Sequence, residues 1–265
     1  YLRLDKLLDF EWQVAVGDTV MDEAEFWKLL QKSEGLIRFK TQYIYVGKQD
    51  LEKLYKHFSQ SKELSAFQLL RTALSGEYNG AKVFIDSEVK KLIKELTEFR
   101  ETPVPGSLTA QLRPYQHRGY SWIYRNARVG FGSVLADDMG LGKTIQVIAA
   151  ILKFKEEGFL TEQKVLVVAP TGLLTNWQAE FQKFAHGINI EIYHGPQRDL
   201  KKLNGYDVLI TSYGIARSDV SLLKKEKWHA VVIDEAQNIK NQNTAQTKAV
   251  KSIKSDNFIA LSGTP

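Results

Sequence analysis

The segment Ala136-Asp137-Asp138-Met139-Gly140-Leu141-Gly142-Lys143-Thr144 sets two glycines, a lysine and a hydroxyl between a short apolar run and an amphipathic one. Strand, glycine turn and helix start in that order bring backbone N–H groups to a helix N-terminus, where unpaired donors and the helix dipole favour negative charge. The chemistry is polyphosphate binding. Gly140 and Gly142 permit close approach of the backbone, Lys143 reaches the β- and γ-phosphates, and the Thr144 hydroxyl ligates magnesium. Asp138, Met139, Leu141 and Gln146 complete the set expected around the nucleotide. The strict P-loop pattern has glycine five positions before Gly142, and Asp137 stands there instead.

A second cluster, Ala230-Val231-Val232-Ile233-Asp234-Glu235-Ala236-Gln237, puts two carboxylates at the end of a continuous apolar run. Hydrolysis of a nucleoside triphosphate needs one carboxylate to hold hydrated magnesium and another acceptor to orient and deprotonate the attacking water. Asp234 takes the first role and Glu235 the second, with Lys143 as the catalytic cation. An isolated Asp-Glu pair reads equally as a solvated strand end. Here it follows the glycine turn and precedes a third polar turn, Leu261-Ser262-Gly263-Thr264-Pro265, after another apolar run. The order argues for one site.

Such a site needs a sheet whose strand ends converge. After residue 107 short apolar runs at 133–136, 164–169, 188–193, 207–211, 230–233 and 258–261 alternate with helical patterns at 143–157, 173–184, 216–223 and 245–253. That rhythm predicts an α/β fold, a doubly wound parallel sheet with right-handed crossovers and ligands at the carboxyl ends of its strands. Thr102-Pro103-Val104-Pro105-Gly106-Ser107 reads as a linker, because two prolines forbid a continuous helix. The predicted division is an accessory α+β domain over 1–102, a linker over 103–107 and the nucleotide lobe over 108–265. In the first part a strand is expected at 10–16, a capping box of Asp22 and Glu25 opening a helix at 23–30, a hairpin at 36–39 and 43–46, and helices at 51–58, 64–74 and 88–99.

Composition narrows the class further. The 265 residues contain no cysteine, which excludes disulfides and thiolate metal sites, and the five histidines show no paired ligand spacing. Without cysteine the chain reads as intracellular; its longest apolar runs fall far short of the roughly 20 residues of a membrane helix, so it reads as soluble, and both ends read as cut. Basic residues number 16 against 17 acidic through Thr102, then 20 against 14, so the positive excess lies wholly in the lobe. An ordinary solvated surface and a phosphate-facing one are both compatible with it.

Taken together, Asp-Asp-Met-Gly-Leu-Gly-Lys-Thr resembles motif I of the Swi/Snf family of superfamily-two translocases, whose members also carry an acidic residue where stricter P-loops have glycine. Asp234-Glu235-Ala236-Gln237-Asn238-Ile239-Lys240-Asn241 resembles motif II, with glutamine in place of a histidine common among eukaryotic members, and Leu261 to Pro265 resembles motif III. Leu112-Arg113-Pro114-Tyr115-Gln116 with Gly119 is similar to the adenine-recognising Q motif, which gives Gln116 an amide role at the base edge and places Arg113 beside the nucleotide. Val168 to Thr171 with Leu174, Asn176 and Trp177 resembles motif Ia, and Asp207 to Tyr213 resembles motif Ib. Residues 1–102 resemble, more loosely, the helicase-associated region upstream of bacterial members, through Phe10-Glu11-Trp12.

The resemblance implies a RecA-like P-loop lobe that uses ATP and magnesium, a second RecA-like lobe beyond it, and double-stranded DNA gripped through its phosphates. A DNA-bound protein is its expected substrate and the bacterial cytoplasm, on the nucleoid, its expected location. Pro170, Thr171, Thr211, Ser212 and Lys240 become candidate DNA contacts, and Ser262, Gly263 and Thr264 candidate coupling residues. For Thr171, Thr211 and Ser212 plain turn and cap chemistry stays open as the alternative. Trp177 and Phe181, four apart on a helix, read as core, and His186 and His194 as structural. An RNA helicase or restriction-type motor shares the lobe and both carboxylates, and a non-catalytic scaffold with a relic pocket is the reading from another class.

Overall fold

The computed structural model describes residues 13–16, 19–22, 28, 36–39, 42–45, 75–78, 81–82, 94, 100–138, 140–200 and 205–263. The chain divides into two compact units, Leu4–Glu95 and Leu96–Pro265 with Tyr1–Arg3. In the first, β1 (Gln13–Val16) pairs antiparallel with β2 (Thr19–Asp22), β3 (Leu36–Phe39) with β4 (Gln42–Tyr45) and β5 (Glu77–Tyr78) with β6 (Ala81–Lys82). The β3–β4 ladder is the hairpin expected there, whereas β2 was not anticipated and takes Asp22 as its last residue. Of the helices expected in this unit, Lys28 and Lys94 are helical and the remaining positions lie outside the described residues.

The second unit is built on one parallel sheet of β7 (Ser133–Leu135), β8 (Lys164–Ala169), β9 (Ile190–Tyr193), β10 (Val208–Ser212), β11 (Trp228–Ile233) and β12 (Ser255–Leu261), in the order β7-β12-β11-β8-β10-β9. The helices are α1 (Pro114–Val129), α2 (Lys143–Glu156), α3 (Leu174–Phe184), α4 (Tyr213–Ser218), α5 (Val220–Leu223) and α6 (Ala245–Lys251). β8 reads Lys-Val-Leu-Val-Val-Ala and is buried from Val165 on, as a central strand covered on both faces must be. Period-two alternation divides it: Val165, Val167 and Ala169 join a core with Tyr120, Ile151, Trp177 and Phe181, while Leu166 and Val168 join another with Tyr213, Ile233, Trp228 and Val250.

The doubly wound α/β lobe predicted from the sequence is present, with two differences in its helices. α1 was not anticipated as an element, although Pro114 stands at its first turn and Gly130, at φ 82°, ends it with the N–H of Phe131 on the Asn126 carbonyl. The helix expected at 216–223 starts earlier, at Tyr213, and is broken at Asp219 into α4 and α5.

The segment expected as a linker is fastened to the lobe. The Thr102 N–H donates to Ser121 Oγ at 2.9 Å, Tyr120 donates its hydroxyl to the Pro103 carbonyl at 2.8 Å, and His117 Nε2 sits 2.7 Å from the Thr102 carbonyl. Gly106 N–H then reaches Glu156 Oε1 on α2 at 2.7 Å. Two prolines leave few N–H groups to satisfy, so a handful of side chains suffices to hold the strap.

Candidate functional site

Because all six strands run parallel, their carboxyl ends share one edge. β7 delivers the glycine turn there and β11 the acidic pair, with β12 between them. The turn is built on left-handed residues: Gly140 at φ 83° and Gly142 at φ 74°, the latter capping α2. The positive φ favours glycine at 142, and a Cβ there would stand 2.5 Å from Gln116 Nε2 and displace that amide. Gln116 uses its amide to staple this corner, accepting from the Arg113 N–H at 2.9 Å and donating to the Leu141 carbonyl at 3.1 Å. One amide hydrogen and one lone pair stay available for an adenine edge. The Arg113 side chain is exposed beside it.

Lys143 Nζ donates to the carbonyls of Asp137 and Asp138 at 2.7 and 3.0 Å. The ammonium thus sits inside the loop's own curve, held by neutral acceptors that a phosphate oxygen can displace. Thr144 is half-buried at the first turn of α2, and Asp138, Gly140 and Leu141 line the accessible side. Met139 lies outside the described residues. Gln146, expected at the nucleotide, is 0% exposed instead: it packs beneath the loop against Gly119, donates to the Gly142 carbonyl at 3.3 Å and leaves Oε1 without a partner. One turn further along α2 than Lys143, it faces the core.

Asp234 and Glu235 meet this loop across the edge. Burial pushes the Asp234 carboxyl up, against hydrogen bonds from the Trp177 indole and the Glu235 N–H; the Glu235 carboxylate adds to the rise and Lys143 opposes it. The acidic pair and Lys143 share the carboxyl edge of the sheet. Trp177 Nε1 donates to Asp234 Oδ2 at 2.8 Å and the Glu235 N–H donates to Oδ1 at 2.9 Å. Glu235 itself stands at φ 50°, ψ 56°, the one non-glycine with positive φ among the described residues. Such a conformation costs about 1–2 kcal/mol for an L-residue and clusters at functional sites. Tyr213 donates its hydroxyl to the Asp234 carbonyl at 2.5 Å, with the Glu235 carbonyl 3.3 Å away.

From the acidic pair a polar chain leads to the third motif. Gln237 Nε2 donates to Glu235 Oε2 at 2.5 Å, and Ser262 Oγ donates to Gln237 Oε1 at 3.2 Å. Ser262 N–H reaches the Leu135 carbonyl at 3.1 Å, so the same residue touches the strand that feeds the glycine turn. Gly263 follows it at the surface, and Thr264 lies outside the described residues.

The candidate DNA contacts separate into two groups. Pro170, Thr171 and Lys240 are accessible in loops that leave the carboxyl edge. Thr211 is instead 0% exposed with its hydroxyl on the Tyr193 carbonyl at 2.8 Å, and Ser212 is 3% exposed, caps α4 by accepting from the Ile215 N–H and lies 3.4 Å from His194 Nδ1. Ser212 thus performs the cap chemistry held open as the alternative, whereas the Thr211 hydroxyl makes a cross-strand bond to β9. Sequence reasoning placed Trp177 in the core, where it is, but missed its indole N–H on Asp234; a ring with a polar edge in a buried position seeks such a partner.

The donors suit a triphosphate and its metal: left-handed glycines, an ammonium on displaceable carbonyls, a hydroxyl at the helix start and a half-buried carboxylate at the same edge. Comparison with known proteins agrees in kind. The family model for the SNF2-related domain matches residues 115–265, and that for the SNF2 Helicase protein family matches residues 1–74. The ATP-dependent helicase/translocase candidate YwqA of Bacillus subtilis is 34% identical over 100% of this chain and 31% of its own length. An uncharacterized ATP-dependent helicase of Mycoplasma pneumoniae is 33% identical over 94% of the chain and 24% of its own length. The SWI2/SNF2 ATPase core of Sulfolobus solfataricus, solved in complex with dsDNA, superposes with a TM-score of 0.59 at 44% identity over 63% of this chain and 35% of that one. The chain therefore spans about a third or less of the proteins it resembles. No helix among the described residues is long and apolar enough to cross a membrane.

Proposed function

Since the chain belongs to the SNF2-related family of superfamily-two helicase ATPases, we propose that it is the first nucleotide-binding lobe of an ATP-driven motor on double-stranded DNA, one that displaces or remodels proteins bound there. The observation that carries this reading is the convergence of the glycine turn, the Asp234–Glu235 pair and Ser262 at one sheet edge, with Pro170, Thr171 and Lys240 accessible in loops of the same edge. A relative of the same family holds dsDNA in its solved structure. The unit Leu4–Glu95 is an accessory domain to this motor.

In this reading Lys143 exchanges the Asp137 and Asp138 carbonyls for phosphate oxygens, and Gln116 offers its free amide hydrogen to the base while keeping Leu141 in place. Thr144 and Asp234 hold magnesium, partly through water; the bound ion supplies charge neutralisation on the phosphates. Glu235, tipped out of the strand by its left-handed backbone, orients the attacking water and takes its proton. Gln237 fixes one Glu235 oxygen and leaves the other for the water. A second lobe is needed to complete the charge on the leaving phosphate, as the short share of the relatives' length accommodates. Pro170, Thr171 and Lys240 follow the phosphate backbone of one strand without reading bases. The cytoplasm, on the nucleoid, is the location this function requires.

The test is the ATPase rate of the full-length protein with duplex DNA and with single-stranded RNA. Duplex DNA should stimulate and RNA should not. Lys143→Ala should lower magnesium–ATP affinity by on the order of 100-fold, the loss of a charge-assisted contact to a triphosphate. Glu235→Gln should bind as the wild type does and lose turnover by on the order of 100-fold or more. Stimulation by RNA alone would overturn the DNA assignment, and full turnover by Glu235→Gln would remove Glu235 from its role.

A further inference from the structure

The acidic pair is gripped from both faces of the sheet. Trp177, 2% exposed, belongs to the core on one face, and its indole N–H fixes Asp234 Oδ2. Tyr213 belongs to the core on the other face, and its hydroxyl fixes the backbone carbonyl of Asp234 beside that of Glu235. Neither grip comes from the strand that carries the pair. Trp177 sits on α3, whose entry is the one-turn helix Thr171–Leu173 at the end of β8, and Tyr213 is the first residue of α4, directly after β10.

Each grip is therefore rooted in an element that begins at the carboxyl end of a strand on the β8 side of the acidic pair: the one-turn helix leading into α3, and α4 itself. β8 is the direct neighbour of β11, with Val168 opposite Ile233 and the Asp234 N–H on the Val168 carbonyl at 2.9 Å. β10 lies next beyond, with Ser212 opposite Ala169. The indole N–H has no acceptor capacity and no rotatable hydrogen, and the Tyr213 hydroxyl is aimed at the Asp234 carbonyl at 2.5 Å with the Glu235 carbonyl 3.3 Å away. The Glu235 backbone needs such a hold, because its left-handed conformation is unfavourable on its own.

We propose that Trp177 and Tyr213 are positioning residues that hold the Asp234–Glu235 pair to the elements that follow β8 and β10, so that seating of a phosphate backbone at Pro170 and Thr171, the accessible residues after β8, sets the rate of hydrolysis rather than the affinity for nucleotide. The proposal rests on the DNA-motor reading and adds the route by which the track reaches the chemistry. A displacement of about 1 Å at a loop is enough to spoil a hydrogen bond of this geometry, and misplacement on that scale costs up to about 100-fold in rate.

The experiment uses the full-length protein as wild type, Trp177→Phe and Tyr213→Phe. Phe at 177 keeps an aromatic ring and removes the N–H; Phe at 213 removes a single oxygen. For each, kcat and KM for ATP are measured with and without duplex DNA, alongside calorimetric binding of magnesium–ATP and the melting temperature. Either substitution should lower the DNA-stimulated kcat by about tenfold and shrink the ratio of stimulated to basal rate, while KM and calorimetric affinity stay within about twofold. A purely structural role would move affinity and melting temperature together with the rate. Should Trp177→Phe fold poorly, Tyr213→Phe carries the test. Wild-type stimulation retained in full by a folded Tyr213→Phe, or a loss confined to KM, overturns the proposal while leaving the motor reading in place. Absence of any stimulation in the wild type overturns both.

Discussion

At the scale of single residues, the site depends on groups that have two tasks. Lys143 is held by the Asp137 and Asp138 carbonyls, neutral acceptors that yield it to a stronger one. Gln116 serves the Arg113 N–H and the Leu141 carbonyl and thereby ties the entry of α1 to the glycine turn. Gly142 is the residue on which both depend. In Gly142→Ala the left-handed backbone costs about 1–2 kcal/mol and the new Cβ meets Gln116 Nε2. Nucleotide affinity should fall by about tenfold, as that cost converts, and a calorimetric titration beside a melting curve would separate this from unfolding. Wild-type affinity in Gly142→Ala would show that the turn reshapes freely.

Much of this was legible in advance, since glycine, lysine and hydroxyl at a strand-to-helix turn have few other uses. What was not legible is the direction in which a side chain points. Gln146 and Thr211 carry the right chemistry in the right motifs, yet both lie on the buried side of their elements. A polar residue in a motif can support the loop from beneath as readily as it can touch a ligand, and one sequence does not tell these apart.

At the scale of elements, parallel pairing does the positioning. β7 and β11 are separated by β12, and Ser262 bridges them, with its N–H on Leu135 and its hydroxyl on Gln237. The strands were readable because a central parallel strand must be apolar throughout, as Val165 to Ala169 is. α1 carries an unbroken i, i+3, i+4, i+7 stripe of Tyr120, Ile123, Tyr124 and Ala127, so its helical period is present in the sequence behind the chemistry-bearing Gln116. The break at Asp219 was invisible, since it is fixed by distant partners.

Arg198 grips both Asp219 oxygens at 2.6 and 3.0 Å, and Tyr193 and Ser218 add hydroxyl donors at 2.8 Å each. The Arg198 guanidinium, outweighing partial burial, lowers the Asp219 carboxyl from 3.8 to about 2. A depressed folded-state value means that this stabilisation is complete above the unfolded aspartate value and is lost as pH falls from about 4 to about 2. Asp219→Asn should therefore melt lower than wild type at pH 7, and the gap should close toward pH 2. A gap that is constant across that range would assign the effect to packing.

At the scale of the whole molecule, the two units have separate characters. Leu4–Glu95 presents short antiparallel ladders, and Leu96–Pro265 one parallel sheet. The strap of Thr102 to Gly106 binds to α1 and α2, the two helices that also carry the candidate residues Gln116 and Lys143. Linker composition predicted a domain boundary there, and Pro and Gly do mark a break in regular structure. Side chains on distant helices decide whether such a break is loose.

The lobe's central claim is that one metal joins segments almost a hundred residues apart, the turn ending at Thr144 and the pair beginning at Asp234. The most direct measurement is the ATP affinity of wild type and Asp234→Asn, each determined once with magnesium and once in chelator. With magnesium the substitution should weaken binding by about tenfold or more, through loss of a metal ligand, whereas in chelator it should not weaken binding at all, because it removes a negative charge facing the triphosphate. Equal affinities of the two proteins in magnesium would contradict the account.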